Sequence, residues 1–353
     1  MRPGSGVRGL GSDALTERRQ SEPVVIAHSA VAPDADASTA DVLEQVRLFE
    51  EGLRALGIRH RAVAVEAARV WEHADELAGT LVCNLLEAPP GKPHFHAAAT
   101  AVLELLGATF TGSSAGALWV TTDKLATRAV LSSLGLPVAS GGRLDPADPT
   151  LLDGVPPPWI LKPAWEDASV GLEGDPVCAT REKALARGRA LATRFPGQPI
   201  LLEHFLPGRE FNVSLVEGEG NVETLPVAEI AFVDFPPGVP ALVGYEAKWE
   251  TGSFAETHTV RRFPGVEDAA LLERIRALAR KAWRAFDLAG YARVDLRLDE
   301  VGEPAILEVN TNPCLSADAG FMAAAREAGY GAAEVVDRLL GAARRRHAGA
   351  STF

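Results

Sequence analysis

Asp295, Glu308 and Asn310 are the residues whose types and spacing say most about chemistry. They lie in "ARVDLRLDEVGEPAILEVNTNP", residues 292–313. Val294, Leu296 and Leu298 alternate with Arg293, Asp295, Arg297 and Asp299, a period of two that predicts a half-buried strand. Residues 305–310 form a second short apolar run, and the intervening segment with Gly302 and Pro304 reads as a turn. The pattern predicts a hairpin in which Asp295 falls opposite Glu308 and Arg293 opposite Asn310. Glu308 and Asn310 are two apart and share a face. Carboxylates directly opposite each other repel, so positive charge should lie between them. Three oxygen donors without thiol or imidazole suit magnesium, which keeps waters and completes its shell with phosphate. Arg293 adds a planar cation suited to an oxyanion or phosphate. The plainer alternative is an acidic patch on a sheet face.

Other candidates precede the hairpin. Lys162 ends the apolar run "WILKPAW", and a loop with small residues follows up to Gly174. An ammonium beside such a loop suits phosphate, since small side chains let backbone N–H groups approach; a surface lysine before a turn is the competing reading. In "LLEHFLPGREF", Glu203 ends a strand and Glu210 follows a Pro-Gly turn. Both could accept from an adenine amino group and ribose hydroxyls, or be solvated. "YEAKW" places Lys248 between aromatics that read more readily as packing. His94 and His96, in "KPHFH", have no third ligand nearby and read as loop or cleft-lining residues rather than a metal pair.

The elements that must position these residues read as α/β. "PVVIAHS", "HRAVAVE" and "TLVCNLL" are strands, separated by a helix ending on Gly57 and followed by the helix "HAAATAVLELLG". "DKLATRAVLSSLGLPVAS" reads as helix, Gly stop and strand, with Asp123 as the cap. The division expected is a leader over 1–22, an N-terminal open parallel α/β unit over 23–122, a central unit over 123–212, a C-terminal unit with the metal site over 213–347, and a tail over 348–353. The Arg- and His-rich end of the last helix reads as solvated, with cations favoured there by the macrodipole.

The 353 residues suffice for two or three domains. A net charge of −12 argues against a nucleic-acid partner. No apolar stretch is long enough to span a bilayer, and residues 1–22 lack a signal-peptide core. Cys83, Cys178 and Cys314 are too few and too scattered for a disulfide framework or a zinc cluster, which favours the reducing cytoplasm.

In sequence order, "DKLATRAVLSSLGLPV", "ILKPAWEDASVGL", "EHFLPGREFNV", "YEAKW", "ARVDLRLD" and "ILEVNTNP" resemble motifs of the ATP-grasp superfamily, and within it of the D-alanine–D-alanine ligases. The resemblance covers roughly residues 80–320. It implies an ATP-grasp fold and an ATP- and magnesium-dependent carboxylate–amine ligase acting through an acyl phosphate. By the resemblance, Lys124 and Lys162 contact ATP phosphates under a loop over Glu166, Ser169 and Gly171. Glu203 and the backbone near Leu206 hold adenine, Glu210 holds ribose, and Lys248 meets the terminal phosphates. Asp295, Glu308 and Asn310 bind two magnesium ions, for which manganese substitutes. Arg293 and the backbone N–H of Cys314 form the oxyanion site, and a homodimer is the implied assembly.

The departures fall on the substrate half. The ligases' opening Gly-Gly-x-Ser-x-Glu is "AHSAVAPDAD" here, their paired loop serines are Ala168-Ser169, and their Lys-Tyr is Lys248-Trp249. Their "HGxxGEDG" is "LLEAPPGKPHFH", and Cys314 stands where they carry Gly. Asp318 lies near where they hold the second alanine's carboxylate, which an aspartate would repel; the alternative is that Ser316 caps a helix and Asp318 suits its N-terminus. The expectation is a small-molecule carboxylate and an amine other than two D-alanines. A genuine D-alanine–D-alanine ligase, a phosphotransferase and a non-catalytic nucleotide-binding protein are the rivals.

Overall fold

A computed structural model describes residues 23–32, 40–236, 238–250 and 252–350. The proposed leader over 1–22, part of "AHSAVAPDAD", residues 351–353 and the side chain of Trp249 lie outside the described residues. The fold is mixed α/β with three sheets.

The first sheet is parallel, in the order β2-β1-β3-β4, from β1 (Val24–Ser29), β2 (His60–Val65), β3 (Leu81–Leu85) and β4 (Thr109–Phe110). Helix α1 (Val42–Ala55) crosses between β1 and β2 and buries Val42, Val46, Phe49 and Leu53. Each large apolar side chain buried this way contributes about 1.5–3 kcal/mol. Helix α2 (His96–Leu105) and the short α3 (Ala115–Thr122) then lead to α4 (Lys124–Ser133). Asp123 caps α4, accepting from the N–H groups of Leu125 and Ala126 at 2.8 and 3.1 Å. Gly135 ends it with φ +68°. The strand expected next is a single bridge, Val138 to Ile306, before β5 (Gly141–Leu144).

The second sheet is antiparallel, β5-β8-β6-β7, with β6 (Trp159–Pro163), β7 (Val177–Cys178) and β8 (Ile200–His204). Helix α5 (Arg181–Arg194) packs Ala184 and Leu191 against Leu161 and Leu202. The third sheet runs β12-β11-β9-β13-β14, with β10 (Val222–Thr224) on β9. Its other strands are β9 (Glu210–Glu217), β11 (Ala228–Phe232), β12 (Thr259–Arg262), β13 (Tyr291–Leu298) and β14 (Pro304–Asn310). A boundary after residue 212 would cut through β9, whose register with β13 is continuous. The turn carrying Pro207 and Gly208, before β9, separates the second sheet from the third. Lys248 lies on the one-and-a-half-turn helix α6 (Tyr245–Trp249). Helix α7 (Ala269–Ala285) covers the third sheet through Leu272, Ile275, Ala279 and Trp283.

After α8 (Gly320–Glu327), helix α9 (Ala332–Ala350) returns to the first sheet. Val335, Val336, Leu339 and Leu340 share one core with Val24, Ile26, Phe49 and Leu53. A Cβ on Gly52 would meet Val336 Cγ2 at 2.7 Å, so α1 and α9 touch at backbone distance. The helix runs through Ala350, across the expected 347/348 boundary between the C-terminal unit and the tail. Its end is solvated only in part: Arg345 and His347 are exposed, whereas Arg346 donates to the carbonyls of Phe110 and Gly112, and its guanidinium lies 4.3 Å from the Phe110 ring.

Candidate active site

The hairpin forms in the predicted register, Asp295 beside Glu308 and Arg293 beside Asn310, with a bulge between Asp295 and Leu296. The positive charge comes from two directions. Arg293 grips Asp295 bidentately, Nε to Oδ1 at 2.7 Å and Nη2 to Oδ2 at 2.8 Å. Asn212 on β9 adds a donor to Oδ1 at 2.9 Å. Burial pushes the Glu308 carboxyl above its usual range, and Lys124 is the largest charge opposing that shift. The Asn310 Oδ1 accepts the Asn312 N–H at 2.9 Å, which fixes the amide's orientation. Two carboxylates and an amide oxygen on adjacent strands are a hard donor set, and they fit magnesium. Among the described residues, no group of three or more His, Cys, Asp or Glu offers a metal site of another kind.

Every candidate named from the sequence except Gly171 and His94 lines one cleft of about 800 Å³. Lys124, at the start of α4, donates to the Glu166 carbonyl and lies 3.2 Å from Asp167 Oδ1. Burial disfavours its ammonium, but Asp167, Glu308 and Glu166 together hold its pKa above the ordinary lysine value. Lys162 on β6 pairs with Glu203 on the neighbouring β8 at 3.2 Å. Burial and then Arg293 pull Lys248 below the usual lysine range, against Glu308, Asp295 and Glu210. Three lysines from three elements thus line the same cleft as the hairpin's carboxylates, and Lys124 and Lys248 feel the charge of Glu308.

The loop at 166–171 closes one wall. Ala168 and Ser169 adopt φ of +54° and +65°, and Ser169 Oγ donates to the Val243 carbonyl at 2.8 Å. The Glu166 carboxylate accepts from Gln198 at 2.9 Å. Gly171 holds the loop's base: its φ is +84°, a Cβ there would fall 2.6 Å from the Pro163 ring, and its carbonyl accepts from Arg187 at 2.6 Å.

Cys314 Sγ lies 2.7 Å from Asp41 Oδ2, which accepts its hydrogen. Burial and that hydrogen bond push the thiol up to about 12, so it is no thiolate near neutral pH. His96 lines the cleft, 3.3 Å from the Asn312 amide, and burial lowers its pKa. His94 instead packs on Trp165, with ring centroids 4.7 Å apart. The Ser316 cap is corrected: α8 begins at Gly320, and Ser316 Oγ donates to Asp318 Oδ1 at 3.2 Å. Asp318 lines the cleft, and its carbonyl accepts from Arg261 at 3.2 Å.

Several cleft residues were not singled out from the sequence. Asp41, Glu87 and Asp167 form an acidic wall; burial, with Asp41 and Asp167 adding to it, raises the Glu87 carboxyl to about 7. Nothing local marks these residues. Arg297 had a signal, because it follows Arg293 and Asp295 at the strand period. Its Nη1 lies 2.9 Å from Glu210 Oε2.

A nucleotide-sized cleft between two antiparallel sheets, with lysines facing paired carboxylates, is the arrangement of the ATP-grasp enzymes. The comparisons agree. The fold matches a D-alanine–D-alanine ligase of Bacillus anthracis complexed with ATP, at a TM-score of 0.73 and 18% identity, over 94% of this chain and 100% of that one. A D-alanine–D-alanine ligase of Gluconobacter oxydans is 34% identical over 239 residues, 67% of this chain and 71% of that protein. An uncharacterized protein of Sinorhizobium fredii is 31% identical over 277 residues, 78% of each chain. The family described as D-ala D-ala ligase C-terminus matches residues 151–341. The chain belongs to the D-alanine–D-alanine ligase family. It is, by class, an ATP-dependent carboxylate–amine ligase.

Proposed function

We propose that the protein joins a small-molecule carboxylate to an amine through an acyl phosphate, and that the pair is not two D-alanines. The observation that carries the chemistry is that Lys124, Lys162 and Lys248 line one cleft with the opposed Asp295 and Glu308. In this reading Glu203 and the Leu206 backbone take adenine and Glu210 takes ribose. The three lysines take the phosphates beneath the 166–171 loop. Asp295, Glu308 and Asn310 would hold magnesium, which when bound disperses phosphate charge. A substrate carboxylate oxygen attacks the γ-phosphorus and ADP leaves. The amine nitrogen then attacks the acyl carbon, and phosphate leaves. Arg293 and the Cys314 N–H face the developing oxyanion, where a placed donor is often worth about 3 kcal/mol. The Cys314 thiol takes no part.

The substrate half supports a different pair. Ala168 cannot make a serine's hydrogen bond, and Asp318 with Arg261 occupies the wall beside Arg293. A cytoplasmic location belongs to the same reading, supported by three free cysteines; a homodimer rests on the resemblance alone. No described helix is long and apolar enough to cross a membrane.

The test is ADP and phosphate release with ATP and magnesium across a panel of amino acids and dipeptides, with mass spectrometry of the products. Release dependent on one carboxylate–amine pair, with a product lighter than the sum by one water, is the expected result. Efficient D-alanyl-D-alanine synthesis would overturn the substrate half. ADP release without any amine, leaving a stable phosphorylated product, would overturn amide formation.

A further inference from the structure

Arg297 is a buried cation at the end of the cleft assigned above to adenine and ribose. It is 3% exposed. Its Nη1 donates to Glu210 Oε2 at 2.9 Å, and its Nη2 donates to the Ala241 carbonyl. Its Nε, also buried, has no partner among the described residues. The guanidinium carbon lies 4.8 Å from the Phe205 ring centroid and 5.6 Å from that of Phe232. A guanidinium carries a large desolvation cost there, and a structural role alone would be served as well by an apolar side chain.

We propose that Arg297 is a positioning residue for the nucleotide, fixing the orientation of the Glu210 carboxylate as an acceptor for the ribose hydroxyls. The inference rests on the nucleotide reading of the cleft. The geometry supplies the reason. Arg297 takes only Oε2 of Glu210, and Oε1 has no hydrogen-bond donor among the described residues. Burial raises the Glu210 carboxyl, and Arg297 is the largest charge opposing that rise, ahead of Lys248 and Lys162. The guanidinium fork, anchored at Ala241, also limits the carboxylate to one orientation. Lysine keeps the charge without the fork, and methionine keeps the bulk without the charge.

The experiment measures affinity rather than ligation, so it does not depend on the unknown substrates. ATP and 2′,3′-dideoxyATP are titrated, with magnesium, by displacement of a fluorescent ATP analogue from the full chain. The proteins are the wild type, Arg297→Met, Arg297→Lys, Glu210→Gln and the Arg297→Met/Glu210→Gln double variant. The wild type is expected to prefer ATP by about 10- to 100-fold, as for loss of hydrogen bonds to a charged group. Arg297→Met should lose most of that preference while melting within a few degrees of the wild type, and Arg297→Lys should retain part of it. The double variant should match Glu210→Gln, because Arg297 acts through Glu210. Equal loss of affinity for both nucleotides with the preference intact would make Arg297 a packing residue and overturn the proposal. So would a folded Arg297→Lys or Arg297→Met with wild-type discrimination, or a wild type indifferent to the hydroxyls. A wild type that binds neither nucleotide would instead overturn the nucleotide reading beneath it.

Discussion

Asp295 and Glu308 stand opposite each other on neighbouring strands, where two carboxylates alone would repel. They are neutralised unequally. Asp295 is held bidentately by Arg293, whereas Glu308 faces Lys124 without a described hydrogen bond to its carboxylate. Glu308 therefore has the freer carboxylate of the proposed magnesium site. Glu308→Gln should abolish ATP turnover, by about 100-fold or more, while circular dichroism and melting stay near wild type; near-normal turnover would refute the metal assignment. Glu87 gives a second, pH-dependent outcome. Its carboxyl is raised to about 7 by burial and by Asp41 and Asp167, so the folded state binds its proton more tightly than the unfolded chain. Its contribution to stability is full below the ordinary glutamate range and is lost as pH rises towards 7. Glu87→Gln should leave stability unchanged near pH 4 and raise it by about 1–3 kcal/mol at pH 8, read from urea midpoints. Among residues, Arg293, Asp295, Glu308 and Asn310 were legible because strand alternation fixes which side chains share a face. The pairing of Cys314 with Asp41, and of Lys124 with Asp167, was not. Those contacts join segments distant in the chain, and no local period encodes them.

Elements decide how the cleft is closed. The 166–171 loop depends on left-handed backbone at Ala168, Ser169 and Gly171, on the Ser169 bond to Val243, and on Arg187 beneath. Only glycine fits at 171, where both φ and the Pro163 ring exclude a Cβ. Gly171→Ala should displace the loop and raise the KM for ATP roughly tenfold, with a smaller change in kcat; an unchanged KM would separate the loop from nucleotide binding. The helices and most strands were readable from hydrophobic period and caps, Asp123 and Gly135 among them. The extent of β9 was not, because the break lies in the Pro207-Gly208 turn and the strand runs on past it with no change of pattern. The segment after α4 was over-read as a strand, since "LPVAS" has strand-like residues but forms one isolated bridge, Val138 to Ile306.

At the scale of the molecule, α9 packs on α1 and β1 even though the third sheet precedes it in the chain. Its amphipathic pattern announces a buried face but not which sheet receives it, which is why the docking of Arg346 was not legible. Gly52 is the contact point. Gly52→Ala would drive a Cβ to 2.7 Å from Val336 and 2.9 Å from the Ala332 carbonyl. A loss of about 1–3 kcal/mol in urea is expected, although alanine is the better helix former at an exposed site. A stabilised variant would show that the two helices are not fastened there.

The same helix sets a rule for the making of the protein. On the ribosome the first sheet and α1 emerge early, yet Phe49, Leu53, Val24 and Ile26 wait for Val335, Val336, Leu339 and Leu340 to cover them. Until α9 is released, the nascent chain carries an open apolar face that chaperones would recognise and that domain-by-domain folding cannot bury. A chain truncated before α9 would leave that face uncovered, and so would any change that undocks the helix.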